Sequence, residues 1–84
     1  MARLEKALAR LASLPKDYRW EEAVSLLVRL GFEKDTNDGS RVKFYRERDK
    51  TIIVLHKPHP ESTMKTYMLK MIYEKLLEGG DLNG

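Results

Sequence analysis

The stretch from Gly39 to Pro60, GSRVKFYRERDKTIIVLHKPHP, decides the fold. Arg41, Lys43 and Tyr45 alternate with Val42 and Phe44, the period-two pattern of a strand with cations on one sheet face and apolar side chains on the other. Glu47 to Lys50 is a charged turn, and the β-branched run from Thr51 to Leu55 reads as a further strand, apolar on both faces. Its second apolar face implies a neighbour, either the N-terminal helix or another chain. Upstream, a short strand around Phe32 to Asp35 leads into Thr36-Asn37-Asp38-Gly39-Ser40, whose Asp-Gly step supplies the positive-φ residues that a turn needs. Downstream, each proline of His56-Lys57-Pro58-His59-Pro60 lacks an amide donor and pushes its predecessor toward extended geometry, so this loop is stiff and extended.

Helical periodicity surrounds these strands. Leu4, Ala7, Leu8, Leu11 and Ala12 form one stripe, which predicts a helix from Ala2 to Ser13 that must pack on something. After a linker from Pro15 to Arg19, Trp20 opens a second helix with Ala23, Val24, Leu27 and Leu30 on one face and Gly31 as its stop. Trp20 and Phe32, flanking an amphipathic helix, are read as core residues. A last helix, capped by Ser62 or Thr63, carries Met64, Met68, Met71, Ile72 and Leu76 on one face until Gly79-Gly80, and Asp81 to Gly84 reads as a frayed tail. The order is α-α-β-β-β-α, an α+β fold in which a three-stranded antiparallel sheet packs on helices. A winged helix would need a recognition helix between Leu30 and the strands, where Glu33 to Ser40 is too short and turn-like.

At 84 residues the chain is expected to be a single domain, 1–84, that buries about 60 to 65% of its unfolded surface, too little for a large substrate cavity. It has no cysteine, which removes disulfides, thiolate metal sites and cysteine nucleophiles together. No apolar run approaches the roughly 20 residues of a membrane span, so a soluble, cytoplasmic protein with no membrane partner is expected. The net charge is only +3, yet Arg41 to Lys57 holds six basic residues against two acidic ones, a local excess of +4. A basic patch on a near-neutral body suits a phosphate backbone or an acidic protein partner; the alternative is a solvated hairpin that merely protects an edge strand.

A helix ending in Leu30-Gly31-Phe32, the Gly39-Ser40 turn leading into a basic strand, a second hairpin and a closing helix together resemble the HicA family, the small toxins of bacterial toxin-antitoxin pairs. The resemblance covers residues 20–79 and leaves residues 1–14 as an extra N-terminal helix. It implies a fold similar to double-stranded RNA-binding domains, mRNA cleavage, and neutralisation by a HicB-like antitoxin. The family's catalytic histidine follows the Gly-Ser pair, whereas this chain has Arg41 there, and arginine stays protonated and cannot act as a general base. The HKPHP segment is similar to that of a divergent branch of the family.

Metal-independent cleavage of RNA needs a base for the 2′-hydroxyl proton, an acid for the leaving oxygen, and cations for the phosphate. His56 and His59 are the candidates for proton transfer, since histidine is the side chain whose ordinary pKa suits that work near neutrality. The alternative is that His56 ends a strand and His59 is a tolerated loop residue. Arg41, Lys43, Tyr45, Arg46 and Lys57 are the candidates for contacting RNA. No metal site is expected, because Glu61 is the only carboxylate near the histidines, and no cofactor is implied. Two non-catalytic alternatives stand beside the toxin reading: an RNA-binding module, and a protein-interaction subunit that adds a partner's strand to its sheet.

Overall fold

The computed structural model describes residues 2–38, 41–58 and 60–81. The elements run α1 (Ala2–Ala12), α2 (Trp20–Arg29), β1 (Glu33–Asp38), β2 (Arg41–Arg46), β3 (Thr51–His56) and α3 (Thr66–Glu78), the expected α-α-β-β-β-α order. The strands form one antiparallel sheet in the order β1-β2-β3. In β2 the alternation works as expected: Val42 and Phe44 are buried, and Arg41 and Lys43 are exposed.

The helices cover the face that carries Val42, Phe44, Ile53 and Leu55. α2 contributes Trp20, Ala23, Leu26 and Leu27 to the core, and α3 contributes Met68, Leu69, Ile72 and Leu76. Trp20 meets Phe44 with ring centroids 6.1 Å apart and planes tilted by 59°, a favourable aromatic geometry. α1 packs on α2 and α3, with Leu11 wholly buried. Arg10 fastens it: Nε donates to Glu22 Oε2 at 2.6 Å and Nη2 to Glu22 Oε1 at 3.0 Å, while the guanidinium lies 5.3 Å from the Tyr18 ring centroid. Gly31, at φ +98°, takes the left-handed conformation that ends α2.

Four boundaries or faces differ from expectation. β1 continues to Asp38, which pairs with Arg41 across an irregular register that begins after Asp35, so the strand runs through Thr36 and Asn37; the Gly39-Ser40 turn lies outside the described residues. α3 begins at Thr66 because Ser62 and Met64 are already committed: Trp20 N–H donates to Ser62 O and Met64 N–H to Tyr18 O, both at 2.7 Å. Met71, expected in the core, is exposed, and Leu69 fills the place instead. The outer face of β3 is not covered by α1, and Ile52 and Val54 remain exposed.

Arg46 is the largest departure. Expected on the RNA-contacting surface, its side chain is 2% exposed, because it shares the parity of Val42 and Phe44 and so points inward. All five of its N–H groups find acceptors. Nε and Nη2 donate to Asp49 Oδ1 and Oδ2 at 3.2 and 2.8 Å, Nη1 and Nη2 to Asp81 Oδ1 and Oδ2 at 3.1 and 2.7 Å, and Nη1 also to Leu30 O at 3.1 Å. The Phe32 ring lies 4.5 Å beneath. This clamp joins the β2–β3 turn, the end of α2 and the end of α3, and Asp81 is thereby held rather than frayed. Gly79 is required there by space, since a Cβ would stand 2.7 Å from Arg46 Nη2.

The clamp sets an expectation for pH. Hydrogen bonds from Arg46, then Thr51, hold the Asp49 carboxyl well below its ordinary range. A carboxylate depressed in the folded state contributes stability that is complete above the ordinary aspartate pKa of about 3.9 and is lost as pH falls below it. Urea midpoints measured from pH 6 downward should fall along such an acid limb, and Asp49→Asn should flatten it. An unaltered limb in that variant would remove Asp49 from the account. At the alkaline end, burial pushes the Tyr18 hydroxyl up to about 12, so its contribution is lost as pH rises from about 10 toward 12.

Candidate nucleic-acid interface

The face of the sheet away from the helices is open. β2 presents Arg41, Lys43 and Tyr45 on it; β3 presents Ile52, Val54 and His56; β1 presents Glu33 and Asp35. The register pairs Arg41 with His56, Lys43 with Val54, and Tyr45 with Ile52. Directly opposed residues of an antiparallel pair have Cβ atoms about 4.5 to 5.5 Å apart, so an imidazole and a guanidinium at 41 and 56 can reach one phosphate group.

The face is not uniformly positive. Across the other ladder Asp38 pairs with Arg41, Asp35 with Lys43 and Glu33 with Tyr45, which places an acidic residue opposite each of the three open-face residues of β2. The Tyr45 hydroxyl donates to Glu47 Oε1 at 3.0 Å, and that carboxylate also holds Lys50. Arg41, His56 and Lys57 stand together at one end of the sheet, all three exposed. Of the residues expected to form the interface, the fold brings Arg41, Lys43, Tyr45, His56 and Lys57 to the open face or its end. Arg46 is turned into the clamp, and His59 lies outside the described residues.

Beyond Lys57 the chain runs along the start of α3. His56, Lys57, Pro58, Lys65, Tyr67 and Met68 line a groove there, next to the Arg41–His56 pair. Lys65 and Tyr67 were not among the expected site residues. What marks them is structural: an exposed cation at the N-cap of α3 and an exposed aromatic in a first turn that lacks acidic residues. Among the described residues no group of three or more histidine, cysteine or carboxylate side chains could hold a metal ion. No helix among them is long and apolar enough to cross a membrane.

No curated protein and no solved structure matches the chain. A family model for the HicA toxin of bacterial toxin-antitoxin systems matches residues 20–77. That span takes in α2, the whole sheet and nearly all of α3, well over half of the chain, and leaves α1 outside it. With its helix stop at Gly31, its basic second strand and its closing helix all inside the matched span, the chain belongs to the HicA family of toxins.

Proposed function

We propose that this toxin binds mRNA on the open face of its sheet and cleaves it without a metal, with His56 moving the proton and Arg41 holding the phosphate. The observation that supports this most is the Arg41–His56 register pair. The position at which the family resemblance implies a histidine is occupied by arginine, and a histidine stands directly across the ladder from it. Imidazole and cation are both kept, on adjacent strands. In the proposed step His56 takes the proton of a ribose 2′-hydroxyl as that oxygen bonds to the neighbouring phosphorus. The bond from phosphorus to the 5′-oxygen breaks, leaving a 2′,3′-cyclic phosphate, and the 5′-oxygen takes up a proton to leave as a hydroxyl. Arg41 neutralises the non-bridging oxygens while charge builds on them. On sequence grounds His59 is the other histidine available to supply the second proton.

A non-catalytic RNA-binding reading is favoured by one observation, the arginine at position 41 itself. A HicB-like antitoxin is the proposed protein partner. The exposed Ile52 and Val54, flanked by Arg41 and Lys43, suit a partner surface with an apolar centre and an acidic rim. The reading places the protein's work in the cytoplasm, where its mRNA target is.

RNA affinity measured against salt tests the binding half of the proposal. Affinity should fall steeply with salt through counterion release, and Arg41→Ala with Lys43→Ala should weaken binding and make the log–log slope shallower by about 1.5, from roughly 0.7 to 0.9 per phosphate contact. An unchanged affinity and slope would reduce the basic strand to a solvated edge.

A further inference from the structure

The groove between the β3–α3 loop and the first turn of α3 has a volume of about 350 Å³, near the lower bound of ordinary small-molecule sites and of a size for one nucleotide. We propose that it holds a single unstacked nucleotide of single-stranded RNA, the base lying on the Tyr67 ring and the adjoining phosphate between Lys57 and Lys65. This inference rests on the RNA-binding reading above and adds to it the form of RNA and a second contact region.

Four independent features converge on this use. Tyr67 is 58% exposed, a large aromatic ring left at the surface where a base can stack on it. Met68, buried at the groove floor, and Pro58 supply apolar walls. Lys57 and Lys65 are exposed, and among the described residues neither has an ion-pair partner, so both charges are available to an anion. The start of α3 reinforces them: Lys65 is its N-cap, no side chain caps it, and its first turn carries no acidic residue. Glu61 also lines the groove and is its one carboxylate, an acceptor for a base amino or imino group.

The groove is also built before any ligand arrives. Pro58 and Pro60 stiffen one wall. The bonds from Trp20 N–H to Ser62 O and from Met64 N–H to Tyr18 O, with the Arg19–Thr63 bridge between them, fix the other. Its position decides the form of RNA. His56 is both a groove residue and the partner of Arg41, so a strand whose phosphates lie on Arg41 continues directly into the groove. A base inside a duplex is stacked on both sides and cannot lie on Tyr67, whereas an unpaired strand offers every base to such a platform.

The test is titration of the intact protein with a 2′-O-methylated single-stranded RNA pentanucleotide, which lacks the hydroxyl needed for self-cleavage, and in parallel with a blunt RNA duplex. The single strand should shift the backbone amide resonances of residues 56–57 and 63–68. Tyr67→Ala should weaken it about 5- to 150-fold, the range reported by removal of one stacking platform, while duplex binding stays unchanged and Tyr67→Phe retains affinity. Lys65→Gln should weaken the single strand less and reduce its salt slope. Because Tyr67 is exposed, loss of the ring leaves the core intact, and circular dichroism checks this. If Tyr67→Ala binds the single strand as tightly as the parent, or if the duplex binds more tightly and shifts the same amides, the groove assignment is overturned. Should Arg41→Ala with Lys43→Ala abolish binding in that same experiment, the RNA-binding reading survives without it; absence of RNA binding by the parent protein would overturn both.

Discussion

RNA cleavage by a His56→Ala protein should run about a hundredfold to ten-thousandfold slower than by the parent, with chelator present in both assays and RNA affinity nearly unchanged. That is the usual consequence of removing a general acid or base. The fold should tolerate the substitution, because His56 is exposed at the end of β3 and lies outside the core cluster. Its neighbours set the comparison. Arg41→Ala removes charge from the reacting phosphate and should weaken both binding and turnover, whereas His56→Ala should act on turnover alone. A His59→Ala protein shows whether the second histidine shares the work. If the His56→Ala, His59→Ala double variant still cuts at the parent rate, the proton transfer belongs to another group. If the parent binds RNA and never cuts it, the arginine at position 41 marks a module that only binds.

Arg46→Ala should lower the free energy of unfolding by about 3 to 5 kcal/mol, because it leaves two carboxylates facing the space of a desolvated guanidinium. Asp81 is 9% exposed and receives two of the five hydrogen bonds, so it would keep a charge that water reaches poorly. For a chain of this length total stability is of order 4 to 13 kcal/mol, and each kcal/mol moves the melting temperature by about 4 to 8 °C. The variant should therefore melt at least about 12 °C lower and lose a large share of its folded population at 37 °C. Arg48→Ala is the control. That side chain is 65% exposed and lies 3.5 Å from Asp81, a pair whose cation stands in water and is worth about 1 kcal/mol or less. A loss below about 1 kcal/mol for Arg46→Ala would mean that the carboxylates rehydrate freely. The clamp would then be an ornament of the folded state rather than a source of its stability.

The amino-acid sequence by itself determined those features that rest on neighbouring residues. The period of 3.6 in Leu4 to Ala12 and Trp20 to Leu30, the period of two in Arg41 to Tyr45, and the stop at Gly31 all express local geometry, and each reappears in place. The burial of Trp20, Phe32, Val42 and Phe44 was legible for the same reason. Even the inward turn of Arg46 was written in its parity with Val42 and Phe44, although an arginine among basic neighbours looks like one more surface cation. What was not legible is who meets that arginine: Asp81 lies 35 positions away, and nothing local pairs them. The same holds for the site. That His56 ends a strand can be read from Thr51 to Leu55, but that it stands opposite Arg41 depends on the register of two strands joined by a four-residue turn, and a slip of one residue would turn every side chain of β3 to the other face. The late start of α3, and with it the groove bounded by Lys65 and Tyr67, depends on hydrogen bonds between Tyr18 and Trp20, at the entry to α2, and residues more than forty positions on. Local periodicity specifies elements because its energies are summed over adjacent residues. Register, clamp and groove are chosen only when distant segments desolvate one another, and that choice is made by the packed tertiary structure.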